Sequence, residues 1–114
     1  LRRVPDAEAE AVTAALEHYV TTLSEDRHPL LSRHAPHDVA FRIVGTGSVG
    51  TRSYVVLLLD HRGEPLILQV KEARPSALVP HLATAGFEAP AVDHEGRRVV
   101  LGQKRMQVVS DILL

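Results

Sequence analysis

The architecture of this chain is predicted by the segment Phe41-Arg-Ile-Val-Gly-Thr-Gly-Ser-Val-Gly-Thr-Arg-Ser-Tyr-Val-Val-Leu-Leu-Leu59 and by the segment that follows it, Pro65-Leu-Ile-Leu-Gln-Val-Lys71. Gly45, Gly47 and Gly50 give it a G-x-G-x-x-G pattern. In a dinucleotide-binding fold the third glycine of this pattern opens a helix. Here the residues that follow have strand character and no N-cap begins a helix, so we expect the chain to turn back as a hairpin.

The residues around the glycines indicate which kind of phosphate loop this is. A Walker-type loop ends in Gly-Lys and then Ser or Thr, whereas this loop ends in Gly50-Thr-Arg52. A glycine loop between two antiparallel strands, with a lysine on the next strand, is the arrangement that protein kinases place over the phosphates of ATP. Glycines let backbone N–H groups approach an anion closely, and each such hydrogen bond contributes roughly 1.5–3 kcal/mol.

This pattern predicts a set of phosphate-binding residues that combines loop amides, hydroxyl groups and one ammonium group. They are Gly45, Thr46, Gly47, Ser48, Val49, Gly50, Thr51 and Lys71. The alternative interpretation is a glycine-rich hairpin turn with a solvated lysine at the end of a strand.

The composition is that of a globular domain. The chain has 114 residues, of which 45% are hydrophobic and 24% are charged, with a formal net charge of −1. There is no basic excess to favour nucleic acid, and no apolar run approaches the ~18 residues needed to cross a bilayer. Without cysteine, disulfides and thiolate metal sites are excluded. We therefore expect a cytoplasmic protein that contacts neither nucleic acid nor membrane.

Hydrophobic periodicity predicts an α+β fold with a single domain in three parts. Residues 1–38 hold an N-terminal helix, from about Asp6 to about Ser24, and then a loop. Residues 39–71 form a three-stranded antiparallel meander that contains the glycine-rich hairpin, with strands at 39–44, 52–59 and 65–71. Residues 72–114 hold two helices, at 77–85 and at about 94–109.

Two other kinds of site have little support from the sequence. The loop before the first strand carries three histidines, at positions 28, 34 and 37, but their spacing fits no known ligand pattern. We expect these histidines to lie on the surface and predict no metal site. An independent hydrolase is also not favoured, because no nucleophile elbow and no suitably spaced carboxylate pair is present.

Three segments together resemble a bacterial family, domain of unknown function 2252. They are Gly45-Thr-Gly-Ser-Val-Gly-Thr-Arg-Ser-Tyr-Val-Val-Leu57, Leu68-Gln-Val-Lys-Glu-Ala-Arg-Pro-Ser76 and Arg98-Val-Val-Leu-Gly-Gln-Lys-Arg-Met-Gln-Val-Val-Ser-Asp111. The resemblance covers about the last two thirds of the chain. Members of that family are several hundred residues long, which implies an internal piece of a longer protein. The family is distantly similar to protein kinases and aminoglycoside phosphotransferases, which implies a kinase-like N-terminal lobe that binds ATP and Mg²⁺.

In a kinase-like lobe the hairpin would cover the phosphates and Lys71 would pair with them. A helix carboxylate normally orients that lysine, and the candidates for this role are Glu95, Gln103 and Gln107. The aspartate motifs of kinase catalysis are absent from these 114 residues, so we assign no catalytic residue and expect no phosphate transfer by this segment alone.

The partners follow from that interpretation. They are the nucleotide and the remaining lobe of the parent chain, and the isolated segment is expected to dimerise through an exposed sheet edge or through Leu113-Leu114. The alternative function is that of a noncatalytic α+β structural or interaction module.

Overall fold

A computed structural model describes residues 1–43, 45–46, 49–89 and 91–109, which contain four strands and four helices. The chain divides after Lys71 into two compact units. The expected strand end at Val44, the loop residue Pro90 and the apolar end at Leu113-Leu114 lie outside the described residues.

The first unit is an antiparallel sheet with one long helix packed on it. Its strands are β1 (Arg2–Arg3), β2 (His34–Phe41), β3 (Ser53–Asp60) and β4 (Pro65–Lys71), and its helices are α1 (Asp6–Thr21) and α2 (His28–Leu31). The strands lie in the order β1-β2-β3-β4. The sheet thus has four strands where the sequence predicted three. The additional strand, β1, consists of two arginines and has no periodicity from which it could be predicted.

Strand β2 differs most from the prediction. It begins at His34 rather than Val39, so the second half of the expected loop is strand, and it includes Pro36. The pairing with β3 is irregular between Pro36 and Asp38, while β1 reaches only Ala40 and Phe41. The early part of β2 is therefore an edge, where proline needs no ladder donor. Because β2 ends at Phe41, Ile43 does not share its buried face and is instead 79% exposed.

The core of this unit lies between α1 and one face of β3. Tyr54, Val56 and Leu58 on this face are buried, and Val56 is completely inaccessible. They pack with Val12 and Leu16 of α1, which lie one helical turn apart. The other apolar residues of β3 are half-buried, so the apolar side chains of β3 are buried fully on one face only rather than on both faces as predicted.

Strand β4 has the predicted bounds, and its residues are alternately exposed and half-buried. Its turn from β3 uses Gly63, whose φ of +80° favours glycine. The Oδ1 atom of Asp60 accepts hydrogen bonds from the backbone N–H groups of Glu64 and Arg62, both at 2.8 Å. The bond from Glu64 is the main reason that the pKa of Asp60 lies below its ordinary value. The hairpin is therefore fixed by local hydrogen bonds.

The second unit contains two helices, both shorter than predicted. Helix α3 is Val79–Leu82, and the chain leaves the following turn at Gly86, whose φ is +79°. Helix α4 is Glu95–Met106, and its N-cap is His94, whose Nδ1 accepts the Arg97 N–H at 3.2 Å. The helix ends before Gln107, which is extended. No helix in the described parts of the chain is long and apolar enough to cross a membrane.

The burial difference between the two faces of the sheet predicts different costs of truncation. Leu58, on the core face, is 2% exposed, whereas Ile67, on the opposite face, is 66% exposed. We expect Leu58→Ala to lower the free energy of unfolding by about 2–5 kcal/mol because it leaves a cavity. Ile67→Ala is the control and should change it by only about 0.5 kcal/mol. Urea denaturation of both variants measures this, and equal losses would contradict the assignment of the core face.

Candidate functional site

The glycine loop joins two antiparallel strands, as predicted. Phe41 of β2 pairs with Tyr54 of β3, and β3 begins at Ser53 without any helix at Thr51. The predicted reversal of the chain after the third glycine is therefore confirmed. This connection is not the strand-to-helix turn of a dinucleotide-binding fold.

The described residues of the loop show what its glycines do. Gly50 has a φ of +82°, a conformation that favours glycine for reasons of backbone sterics. Gly45 does not have a positive φ, and a Cβ atom built on it would meet nothing within 4 Å. Val49 donates its N–H to the Thr46 carbonyl at 3.4 Å, and its side chain is 79% exposed. Gly47 and Ser48 lie outside the described residues, so their role stays a prediction.

Lys71 lies at the same end of the sheet as the glycine loop. It is the register partner of Ser53, the first strand residue after the loop, and it is exposed. Residues directly opposite each other in an antiparallel pair share one face, with Cβ atoms ~5 Å apart. The Cβ atom of Lys71 therefore lies beside that of Ser53, which we call the loop exit. Both residues are on the face of the sheet opposite the core, which we call the open face.

Ser53 is a buried polar residue on the open face, and no sequence pattern singles it out. It is 2% exposed, and its Oγ accepts a hydrogen bond from Gln69 Nε2 at 3.1 Å. Gln69 precedes Lys71 by two residues, so both side chains belong to the same face. The period-two alternation of β4 predicts that Gln69 shares a face with Lys71. It does not predict the hydrogen bond to Ser53, because the partner of Gln69 on β3 depends on the register.

Arg42 extends the β2–β3 ladder by one residue and adds a second cation at this end. Its N–H donates to the Ser53 carbonyl at 2.8 Å, which places Arg42 opposite Ser53. Alternation puts Arg42 on the same face as Ala40, away from the core that Phe41 packs against. Arg42, Ser53 and Lys71 thus form a row across three chain segments, with its ends about 10 Å apart at the Cα atoms.

A hydrogen-bonded group on the core side ties α1 to the start of β3. The Tyr54 hydroxyl donates to Glu8 Oε1, and this bond raises the pKa of Tyr54, while the neighbouring Arg52 opposes the rise. Tyr54 also contacts Phe41 edge-on, with ring centroids 5.7 Å apart. From the sequence, Glu8 was notable only as an acidic residue in the first turn of a helix. In the structure it holds the strand that leaves the glycine loop.

The three candidates for orienting Lys71 all belong to the second unit. The carboxylate of Glu95 accepts from Arg98 Nε at 2.6 Å, and Arg98 also donates to the Arg74 carbonyl at 2.9 Å. Gln103 Oε1 is buried and has no hydrogen-bond partner in the described part of the chain. Gln107 is exposed beyond the end of α4. Of the three, Gln103 retains an unused buried acceptor, and the pairing with Lys71 stays a prediction.

Other parts of the chain offer less chemistry. In the ranges that the structure describes, no three His, Asp or Glu side chains come together in a way that could hold a metal ion. The Nδ1 atom of His34 lies 2.8 Å from the Leu30 carbonyl. An open groove of about 340 Å³ separates α1 from β2, between Ala9 and Val39, and includes neither the glycine loop nor Lys71.

These features define an α+β protein whose antiparallel sheet carries a glycine-loop hairpin. The chain belongs to the DUF2252 family, described as uncharacterized proteins conserved in bacteria, and the match covers residues 1–114. The resemblance found in the sequence is thereby confirmed, and it extends beyond the last two thirds of the chain. No curated protein and no solved structure matches the chain.

The Glu8–Tyr54 hydrogen bond predicts an unusual tyrosine titration. The chain has two tyrosines, and we expect the pKa of Tyr54 to lie above the ordinary value of about 10, because ionisation would remove the hydrogen bond that its hydroxyl donates to Glu8 and would put two negative charges together. Ultraviolet titration at alkaline pH measures this. Tyr54→Phe should remove the late transition, and Tyr19→Phe, the control, should leave it. A late transition that persists in Tyr54→Phe would contradict the assignment.

The sign of the linked stability follows from the raised pKa. From neutral pH up to the unfolded tyrosine value of about 10 the hydrogen bond stabilises the fold, and this contribution is lost as the pH rises through the folded value. At pH 7 we expect Tyr54→Phe to cost about 1.5 kcal/mol, and the difference from the wild type should shrink at strongly alkaline pH.

Proposed function

We propose that this chain binds the phosphates of a nucleotide as the N-terminal lobe of a kinase-like phosphotransferase, with ATP as the nucleotide. The observation that carries the proposal is the pairing of Ser53 with Lys71, because it brings the lysine to the strand that leaves the glycine loop. Loop amides and an ammonium group at one end of a sheet are suited to a phosphate anion.

The division of labour among the groups follows from their chemistry. The loop amides would donate hydrogen bonds to phosphate oxygens, and Lys71 would supply a compact positive charge to the same group. Mg²⁺ would accompany ATP, with its ligands supplied by the remaining lobe, since kinases hold it through aspartate and asparagine side chains of their catalytic segments. The chain would therefore bind and orient the nucleotide, and the rest of the catalytic residues would come from that lobe.

The open face also offers a surface for the base. Val55 and Leu57 lie on this face beyond Ser53 and are half-buried, and Ile67, the partner of Leu57, is 66% exposed. Flat aliphatic surface next to a phosphate site suits a planar heterocycle, since small-molecule sites combine apolar walls with a few polar groups. This surface favours a nucleotide over an isolated phosphate.

The alternative is a noncatalytic module in which the loop is only a turn. The φ of +82° at Gly50 favours it, because a backbone turn with positive φ calls for glycine whether or not a ligand binds. The same interpretation makes Lys71 a solvated strand end.

Nucleotide binding can be tested by thermal stability of the full-length protein with and without Mg-ATP. At a concentration 100 times the dissociation constant, binding should stabilise the protein by about 2.7 kcal/mol. Lys71→Ala should abolish most of the shift. Arg62→Ala is the matched control, since Arg62 lies in the β3–β4 turn at the far end of the sheet, about 25 Å away. Its shift should equal that of the wild type.

The result decides between the two functions. A shift in the wild type that Lys71→Ala loses and Arg62→Ala keeps supports the nucleotide site. No shift in the wild type, or an equal shift in Lys71→Ala, would overturn it and favour the noncatalytic module.

A further inference from the structure

The loop end of the open face carries three cations, one on β1, one just past the end of β2 and one on β4. Arg3 of β1 pairs with Ala40. Arg42 comes two residues after Ala40, just past the end of β2, and Lys71 is the last residue of β4. All three cationic side chains are exposed. Arg3 and Arg42 are diagonal neighbours across β1 and β2, a separation of about 7–8 Å that long side chains can bridge.

This cluster has few acidic neighbours. The one acidic residue that the described strand positions place on the open face is Asp38, four residues before Arg42, and its Oδ1 accepts the Val39 N–H at 2.8 Å. Glu8 accepts from Tyr54 on the core side. Like charges on adjacent strands destabilise a sheet, and Arg3 and Arg42 are such a pair. An anion bound at Arg42 would offset their repulsion.

The distance between the two ends of the row formed by Arg42, Ser53 and Lys71 also determines how long an anion must be to contact both cations. Its two cationic ends flank a buried serine whose hydroxyl already accepts from Gln69. Two cations about 10 Å apart at their Cα atoms can each bind a separate charged group. A single phosphate could occupy one of them fully, whereas a chain of phosphates could reach both.

We propose that Arg42 is a second phosphate-binding residue, so that this end of the open face takes a chain of phosphates rather than one. The inference rests on the proposed function, in which Lys71 and the loop amides bind a phosphate group. Arg42 then binds the next phosphate of the chain through its guanidinium, whose fork of N–H donors matches two phosphate oxygens. The ligand class is a nucleoside di- or triphosphate or an inorganic polyphosphate.

The experiment compares ligands that differ in phosphate number. Isothermal titration of the full-length protein with Mg-ATP, AMP and inorganic tripolyphosphate would be run for the wild type, Arg42→Gln and Arg42→Lys. Arg62→Gln is the control for loss of an exposed arginine on the same sheet. We expect Arg42→Gln to weaken Mg-ATP about tenfold and AMP much less, as for loss of one charge-assisted hydrogen-bonded contact.

Two further measurements distinguish a role of Arg42 in ligand binding from a role in the structure of the sheet. Arg42→Lys should recover part of the affinity for Mg-ATP, because it keeps the charge but loses the fork. The affinity of Arg42→Gln should also depend less steeply on salt than that of the wild type. Arg62→Gln should match the wild type in both.

Failure of this inference and failure of the proposed function give different results. If Mg-ATP binds and needs Lys71, but Arg42→Gln binds all ligands like Arg62→Gln, the role of Arg42 is overturned and the nucleotide site stands. If tripolyphosphate binds with an affinity that depends on Arg42, and ATP binds no more tightly than tripolyphosphate, the site for a chain of phosphates stands. The proposal that the ligand is a nucleotide is then overturned. If no ligand binds to the wild type, both are overturned.

Discussion

The register of β3 is the constraint on which both the core and the candidate site depend. Side chains on a strand alternate, so Tyr54, Val56 and Leu58 can pack under α1 only if Ser53 and its alternates lie on the other face. A slip of one residue would move the apolar set into solvent and turn the loop exit toward the core. The burial that stabilises this unit therefore also fixes which face holds Lys71.

The same constraint explains what could be predicted from the sequence. Strands β3 and β4 are long apolar runs bounded by turn residues, and their bounds agree with the prediction to within one residue. The pattern does not predict β1, which is a pair of arginines held by backbone pairing. It also does not predict the early part of β2, where Pro36 and neighbouring histidines are typical of a loop. Such edge segments take their structure from the neighbouring strand rather than from their own periodicity.

The candidate site divides in a similar way. Lys71 was predictable because its position relative to the glycine loop is a matter of sequence order and strand count. The Ser53–Gln69 hydrogen bond and the place of Arg42 were not, because both depend on which residues stand opposite each other. Glu8 was beyond reach for another reason. Its bond to Tyr54 joins residues 46 apart in the chain, and nothing local signals it.

The two strands that carry the candidate site, β3 and β4, are held in place by different interactions. Tyr54 is held by Glu8 of α1 and by edge-on contact with Phe41, so the strand leaving the loop is fixed from the core side. Lys71 is held by the backbone ladder, and its side chain is exposed. A rigid loop exit next to a cation that is free to adjust is the combination that a site binding a flexible anion needs, since pre-organised donors reduce the cost of ordering the ligand.

The loop glycines allow one more step, because the described ones differ in what the fold asks of them. Gly50 has a positive φ and is needed by the turn itself. Gly45 has neither a positive φ nor a neighbour that a Cβ atom would meet within 4 Å, so the described fold would accept alanine there. Close approach of a phosphate to the loop backbone, which we propose, would give Gly45 a role that the described fold does not.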